Sequence, residues 1–103
     1  MSWFSGSKEA QFGLSAAPSP EEARRLELYH SEYCGYCHRV ERAISKLPDL
    51  KIERLDVNQG HRKALFELTG RTQVPCLVID GQPLLESRDI IQWLTRYAER
   101  SQA

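Results

Sequence analysis

Cys34 and Cys37 are separated by two residues, and His38 follows the second of them. This pattern fits three kinds of chemistry: a redox-active cysteine pair, half of a zinc site, and the CxxCH sequence by which a c-type haem is attached. The five residues Cys34-Gly35-Tyr36-Cys37-His38 do not distinguish between the three. The elements around them must decide where the two sulfur atoms lie.

The two cysteines are predicted to lie between a strand and a helix. Residues 26–30 alternate between apolar and polar side chains, which is typical of a half-buried strand. After Cys37, apolar residues recur at helical spacing until Pro48 ends the run. A helix N-terminus favours a thiolate through its unpaired N–H groups and its dipole. Because Cys34 lies closest to that end, we expect Cys34 to be the nucleophile and Cys37 the resolving thiol.

The rest of the chain predicts one mixed sheet. Further strands are expected over 52–57, 76–79 and 83–85, and further helices over 61–68 and 87–98. Asp80-Gly81 is a strong signal for a tight hairpin between the last two strands. The first strand–helix–strand unit should be parallel and right-handed. The order βαβαββα therefore predicts an α/β fold of thioredoxin-like arrangement, a mixed four-stranded sheet with helices on both faces.

Two of the three interpretations lack residues that they require. A structural zinc site needs four ligands, and beyond the cysteine pair only His38 and Cys76 are of a suitable type. A c-type haem usually takes a further ligand such as methionine, and the only methionine is Met1. Residues 1–20 also lack the pattern of a secretory signal. Cys76 is expected to be a small apolar residue of a strand rather than a metal ligand. The lack of ligands for zinc and haem and of a secretory signal therefore favours the redox interpretation.

Length and charge narrow the class of protein. The chain has 103 residues, which suffices for one compact domain. Its 14 basic and 14 acidic residues balance, so nothing points to nucleic acid or an anionic membrane as a partner. No apolar run reaches the about 18 residues that a membrane span requires. We therefore expect a cytoplasmic protein, in which a cysteine pair is more often catalytic or metal-binding than structural.

The chain is expected to consist of an N-terminal extension, residues 1–24, and a folded domain, residues 25–103. The first part of the extension is rich in Ser, Gly and Ala and shows no periodicity, so we expect it to be mobile. Ser19-Pro20, with an acidic residue three positions after the serine, predicts a short helix over 19–25.

Four segments together resemble the glutaredoxins. They are Tyr29–Cys37 with the helix behind it, Gln73-Val74-Pro75 before an apolar strand, the Asp80-Gly81 turn, and Leu85–Ile91 at the start of the last helix. CxxC alone is a weak signal, but Val-Pro about 40 residues later and Ser-x-Asp at a helix start make the combination specific. The resemblance covers roughly residues 25–100.

The resemblance implies a glutathione-dependent thiol–disulfide oxidoreductase that serves electron transport and cell redox homeostasis. It would reduce glutathione mixed disulfides and protein disulfides, with glutathione as co-substrate and with glutathionylated or disulfide-containing proteins as partners. In glutaredoxins the proline after the valine is cis, so Pro75 should be cis and should face Cys34. The implied glutathione-binding residues are Tyr36, Arg62, Gln73, Val74, Pro75, Ser87, Arg88 and Asp89.

The same resemblance assigns parts of glutathione to these residues. The backbone of Val74 would pair with the cysteinyl part, and Tyr36 would flank the tripeptide. Residues 87–89 would hold the γ-glutamyl end, since a helix N-terminus suits a carboxylate and Asp89 can take the amino group. Arg62 would meet the glycine carboxylate.

Four residues at three places depart from the glutaredoxin pattern. Gly35 stands where most members have proline, Ser31 where a basic residue is usual, and Leu85-Glu86 where two glycines are usual. Glutamate followed by serine instead resembles the N-terminal domain of glutathione transferases, which shares the fold. In glutaredoxin-like proteins a small residue at position 35 goes with a [2Fe–2S] cluster that two glutathiones and two subunits share. The alternative expectation is a dimer in which Cys34 ligates such a cluster; without it, we expect a monomer with no metal.

Overall fold

Each strand and helix of the predicted βαβαββα order is present in the computed structural model, which describes residues 11–101. The elements are β1 Leu26–His30, α1 Gly35–Ser45, β2 Glu53–Asp56, α2 Arg62–Thr69, β3 Cys76–Ile79, β4 Gln82–Leu85 and α3 Ser87–Ser101. Single 3-10 turns occupy Leu14–Ala16 and Val57–Gln59.

The four strands form one mixed sheet in the order β2-β1-β3-β4. β1 pairs in parallel with β2, and β3 runs antiparallel to both β1 and β4. Asp80 and Gly81 join β3 to β4 with φ angles of 49° and 89°, the left-handed pair that a two-residue hairpin of this kind requires. The predicted fold class and the predicted hairpin are confirmed.

The core lies on both faces of the sheet, because successive strand residues point to opposite sides. On one face, Leu28 and Leu77 pack with Val40 of α1 and Leu94 of α3. On the other face, Leu65 of α2 joins the strand residues Tyr29, Leu55, Cys76, Val78 and Leu85. Helices α1 and α3 thus share one face, opposite α2. Over residues 11–101, no helix is long and apolar enough to cross a membrane.

Only part of the apolar face of helix α2 is buried. The spacing of Ala64, Leu65 and Leu68 puts them on one face of the helix, but of these three only Leu65 is buried, and Leu68 is 38% exposed. Thr69 is buried instead. Its hydroxyl makes this possible, because its single proton can be shared between the carbonyls of Leu65 at 3.1 Å and Arg71 at 2.8 Å, and its oxygen accepts the backbone N–H of Arg71 at 3.2 Å.

The segment before β1 differs from the expectation of a mobile extension over the part that the structure describes; residues 1–10 lie outside it. Phe12 is 7% exposed and belongs to the core beneath α2. Its carbonyl accepts the backbone N–H of Leu85 at 3.0 Å. Further along, the Pro18 carbonyl accepts the indole N–H of Trp93 at 2.8 Å. These long-range contacts hold the segment on the domain, and its Ser- and Gly-rich composition gives no sign of them.

The short helix predicted over 19–25 is not formed. A single turn, in which the Glu22 N–H donates to the Ser19 carbonyl at 3.0 Å, takes its place. The Asp80 carboxylate accepts the backbone N–H groups of Arg24 at 3.1 Å and Arg25 at 2.7 Å. Because these N–H groups are engaged by the hairpin, the chain leaves the turn in an extended conformation and enters β1.

Candidate active site

Cys34 caps the N-terminus of α1. Its backbone is extended, with φ −108° and ψ 118°, and its sulfur accepts the backbone N–H of Cys37 at 3.2 Å. Its carbonyl accepts the N–H of His38 at 3.1 Å, which starts the helical hydrogen bonds. The sulfur therefore occupies the place of a capping oxygen, where the helix offers N–H groups to negative charge.

The two cysteines of the motif lie in different environments. Cys34 is half-buried, whereas Cys37 is 2% exposed, and neither is joined in a disulfide. Burial, followed by the hydrogen bond with the Cys34 thiol, raises the pKa of Cys37 to about 12. Cys37 is thus protonated at neutral pH, and Cys34 is the sulfur that a substrate can reach first.

The loop before β3 lies against this sulfur. The Val74–Pro75 peptide bond is cis, as predicted. The Cys34 sulfur is 3.7 Å from the carbonyl oxygen of Val74. Pro75 is buried, while Val74 is half-buried. The structure therefore brings the cysteine motif and the Val-Pro segment together across about 40 residues of sequence.

A cavity of about 310 Å³ opens beside this contact. It is lined by Tyr36, Gln73, Val74, Pro75, Glu86 and Ser87. Five of these six residues belong to the predicted glutathione-binding set, and Glu86 is the sixth. The N-termini of α1 and α3 thus contribute to one cavity, through Tyr36 and Ser87.

Glu86 was not predicted as a site residue. It has a φ of 76°, which is unusual for a residue other than glycine, and it is exposed. Its carboxylate accepts the side-chain amide of Gln73 at 3.3 Å, and the Gln73 oxygen accepts the Arg71 guanidinium at 3.0 Å. The sequence feature that could have identified Glu86 is its position immediately before Ser87, since the Glu86-Ser87 pair resembles the N-terminal domain of glutathione transferases.

Three predicted residues do not line the cavity. Arg88 and Asp89 belong to the first turn of α3, where Arg88 is exposed and Asp89 is half-buried. Arg62, at the start of α2, donates to the side-chain oxygen of Asn58 at 3.2 Å. The Asn58 amide in turn donates to the hydroxyl of Ser31, just before the cysteine motif, at 2.9 Å. Arg62 is therefore linked, through Asn58, to the loop that precedes Cys34.

The loop before Cys34 is held by its own hydrogen bonds. The Ser31 hydroxyl accepts the backbone N–H of Tyr33 at 3.2 Å. His38 donates from Nε2 to the carbonyl of Glu32 at 2.6 Å, which ties the first turn of α1 back to the loop. Tyr33 itself is 82% exposed beside the nucleophile. Ser31 thus orders the loop where the glutaredoxin pattern has a cation.

The third cysteine lies apart from this chemistry. Cys76 is the first residue of β3 and is fully buried, as expected for a small apolar residue of a strand. Burial raises its pKa to about 12. Within residues 11–101, no three His, Cys, Asp or Glu side chains lie close enough together to hold a metal ion.

Comparison with known proteins connects this geometry to two related groups. The family model described as "Glutathione S-transferase, N-terminal domain" matches residues 28–102. Glutaredoxin 3 of Escherichia coli (strain K12) is 36% identical over 58 residues, which cover 55% of this chain and 70% of that protein. Glutaredoxin-C1 of Arabidopsis thaliana is 33% identical over 88 residues, which cover 78% of this chain and 70% of that protein.

Solved structures support the fold. The buckwheat glutaredoxin–glutathione complex matches with a TM-score of 0.57 and 23% identity, covering 76% of this chain and 79% of that one. The holo form of glutaredoxin C1 from Populus tremula x tremuloides matches with a TM-score of 0.57 and 19% identity, covering 87% of this chain and 90% of that one. At these identities the likeness establishes the thioredoxin-like arrangement of the sheet and helices.

Proposed function

This chain belongs to the glutaredoxin family, and from that premise we propose that it is a glutathione-dependent thiol–disulfide oxidoreductase of the cytoplasm. The observation that carries the proposal is the position of the Cys34 sulfur. It caps α1, is half-buried, and lies 3.7 Å from the carbonyl of Val74, which lines the cavity. This position supports Cys34 as the proposed nucleophile, because its sulfur lies next to a residue that lines the cavity.

The proposed reaction with a glutathione mixed disulfide has two exchanges. The Cys34 thiolate attacks the glutathionyl sulfur, the bond from that sulfur to the client breaks, and the client thiolate leaves and takes up a proton. A second glutathione, as its thiolate, then attacks the glutathionyl sulfur bound to Cys34. Oxidised glutathione leaves and the Cys34 thiolate is restored, so one mixed disulfide and one glutathione thiol give one client thiol and one oxidised glutathione.

The cavity supports a specific placement of glutathione. Its cysteinyl part would pair with the backbone of Val74, beside the Cys34 sulfur, and Tyr36 would cover one side. Its γ-glutamyl end would lie at Ser87 and the first turn of α3, with the amino group at Asp89. Gln73, which lines the cavity next to Val74, would contribute a polar side chain. Arg62 and Arg88 are proposed at the periphery, since neither lines the cavity.

A client with its own disulfide would require Cys37. The first attack leaves a disulfide between Cys34 and the client, and Cys37 then attacks the Cys34 sulfur, which is 3.2 Å from the Cys37 backbone nitrogen. This step transfers a proton from Cys37 to the departing client thiolate and forms a Cys34–Cys37 disulfide. Two glutathiones reduce that disulfide and leave as oxidised glutathione.

A turnover assay tests the proposal. The glutathione mixed disulfide of a small thiol is supplied with reduced glutathione, and oxidised glutathione is followed by its consumption of NADPH through glutathione reductase. We expect turnover that saturates with the mixed disulfide. Cys76→Ala, which removes the buried thiol outside the site, should keep this activity. A rate no higher than the uncatalysed exchange, from a folded protein, would contradict the proposal.

The alternative proposal, a dimer that shares a [2Fe–2S] cluster, has one observation in its favour. A Cβ atom added at Gly35 would meet nothing within 4 Å, so the surface next to Cys34 is open to a second subunit. Cys34 of each subunit and two glutathiones would supply the four ligands. Anaerobic reconstitution with iron, sulfide and glutathione tests it through visible absorption and gel filtration, and a colourless monomer would refute it.

A further inference from the structure

A second concave surface lies between α1 and α3, on the face of the sheet opposite α2. This basic groove has a volume of about 340 Å³. It is lined by Arg39, Arg42, Ala43, Lys46, Leu47, Ile91 and Thr95. Its apolar members Ala43, Leu47 and Ile91 are half-buried, and its three cations are exposed. The groove therefore combines an apolar floor with a positively charged rim.

The rim cations form no ion pair with a carboxylate of the part of the chain that the structure describes. Among residues 11–101, the ion pairs join Arg25 to Glu27 and Glu53, and Arg54 to Glu41. None of them involves a residue of the basic groove. The chain as a whole has no net charge, so this concentration of positive charge is local to the groove.

One cation of the basic groove lies next to the cavity described above. The Arg39 guanidinium lies 5.7 Å from the centre of the Tyr36 ring, which lines the cavity next to Cys34. Arg42 follows Cys34 by eight positions along α1, and at ~1.5 Å per residue the two are about 12 Å apart along the helix axis. An extended chain covers that distance in about four residues at ~3.3 Å each.

We propose that the basic groove docks an acidic segment of a client protein, with an apolar side chain on its floor and its reactive cysteine about four residues away at Cys34. This inference rests on the oxidoreductase function proposed above and adds the chemistry of its preferred clients. Carboxylates of the client pair with Arg42 and Lys46 at the rim. Leu47 and Ile91 receive the apolar side chain. Glutathione and small mixed disulfides do not use the groove.

The test compares peptide substrates that differ only in charge. Each peptide carries one glutathionylated cysteine and, about four residues away on either side in separate peptides, a leucine flanked by two glutamates or by two lysines. The small-thiol mixed disulfide is the reference substrate. The charge-reversing variant is Arg42→Glu/Lys46→Glu. The matched control, Lys51→Glu/Lys63→Glu, makes the same charge change at exposed positions outside the groove.

The native protein should favour the acidic peptide by roughly tenfold in kcat/KM, as expected for two or three exposed charge pairs. Arg42→Glu/Lys46→Glu should remove or reverse this preference and leave turnover of the small mixed disulfide within about twofold. The control variant should keep the preference. Because exposed pairs are screened, added salt should also reduce the preference of the native protein.

Binding without chemistry separates this proposal from the oxidoreductase function. Acidic and basic peptides with serine in place of the cysteine are titrated into the native protein, and amide chemical shifts are followed by NMR. If the acidic peptide changes the amide chemical shifts of α1 and α3 and the basic peptide does not, the result supports docking, even if no substrate is turned over. The proposal would be overturned by equal kcat/KM for both peptides, or by an acidic preference that survives in Arg42→Glu/Lys46→Glu. It would also be overturned if, in a parallel titration, phosphatidylserine vesicles bound through the groove and the acidic peptide did not.

Discussion

The N-termini of α1 and α3 meet at the same cavity, but they carry different first turns. At α1 the capping atom is the Cys34 sulfur, and no acidic side chain lies in the first turn. At α3 the first turn contains Asp89. The positive end of the α1 dipole therefore faces the Cys34 sulfur without an intervening carboxylate. At α3 the Asp89 carboxylate interacts favourably with the positive end of the dipole.

On the proposed function, the two helix ends would serve different purposes, reaction at α1 and recognition at α3. At α1 the Cys34 sulfur, the proposed nucleophile, caps the helix end. At α3 the proposed binding uses two groups: the Asp89 carboxylate would accept from the amino group of a ligand, and backbone N–H groups of the helix end would bind the ligand's carboxylate. The γ-glutamyl part of glutathione carries both groups on one carbon.

The largest expected effect removes the reactive group of α1. Cys34→Ser should lower deglutathionylation and protein-disulfide reduction by roughly a thousandfold or more, because the other two cysteines, Cys37 and Cys76, are buried with raised pKa values. Cys37→Ser should keep deglutathionylation, which needs Cys34 alone, and lose most protein-disulfide reduction. Both activities are measured on the same preparations. If Cys34→Ser keeps either activity and Cys37→Ser loses both, the roles of the two cysteines are reversed.

The second prediction concerns the pH dependence of the cysteine one turn deeper in α1. Burial, followed by the hydrogen bond with Cys34, raises the pKa of Cys37 from an ordinary value of about 9 to about 12. At pH 8 its thiolate fraction in the native protein should therefore be about three powers of ten below that of an ordinary thiol. Cys34→Ser removes the contribution of Cys34 but keeps the burial, so alkylation of Cys37 by iodoacetamide should be slow at pH 7 and rise about tenfold per pH unit between pH 7 and pH 9.

Mass spectrometry assigns the alkylated residue, since Cys76 is also buried with its pKa raised to about 12. An unfolded sample in urea serves as the control, in which both thiols should react at ordinary rates. A rate at Cys37 that levels off near pH 8 in the folded protein would show that burial does not hold this thiol in its protonated form.

The third prediction tests the recognition end. Asp89→Ala removes the proposed partner of the γ-glutamyl amino group, a charge-assisted contact worth ~1.5–3 kcal/mol. The Michaelis constant for glutathione should rise by roughly tenfold or more, since ~1.4 kcal/mol corresponds to one decade. Asp49→Ala, at an exposed position after α1, is the matched control and should change nothing. An unchanged constant in a folded Asp89→Ala protein would exclude Asp89 from the site.

The smallest expected effect is that of Gly35→Pro, at the first residue of α1. A Cβ there meets nothing within 4 Å, and proline suits the first position of a helix. We expect turnover to stay within about threefold and stability to rise by ~0.5–1 kcal/mol, as measured by urea unfolding. If the native protein assembles a cluster on reconstitution, Gly35→Pro should do so far less. A loss of folding would show that the start of α1 is not open.

Much of the site was predictable because its signals are local or lie at a fixed spacing. The strand before Cys34, the apolar period after it and the Asp80-Gly81 turn each depend on a few neighbouring residues. The cis bond before Pro75 followed from the resemblance. The cavity role of Glu86 was not predicted, because it depends on a left-handed backbone and on Gln73 across the cavity.

Some contacts could not be predicted from the sequence, because they join segments far apart in the chain whose residues show no periodic pattern. Phe12 and Leu85 are linked by one backbone hydrogen bond, and Trp93 reaches a carbonyl 75 residues away. Neither the composition of the first 18 residues nor their periodicity distinguishes a docked segment from a mobile one. The burial of Thr69 could not be predicted either, because it depends on hydrogen bonds that its hydroxyl makes only in the folded structure.

The docked segment has a consequence for self-association. β4 is the edge of the sheet, and an uncovered strand edge is a template on which another chain can add a strand. Phe12 occupies the N–H of Leu85 at that edge, and the Gln82 amide donates to the carbonyl of Gln11 at 3.2 Å. Leu85 directly precedes Glu86 and Ser87 of the cavity. Gln11 and Phe12 thus cover part of the β4 edge against intermolecular strand pairing, next to the cavity residues Glu86 and Ser87.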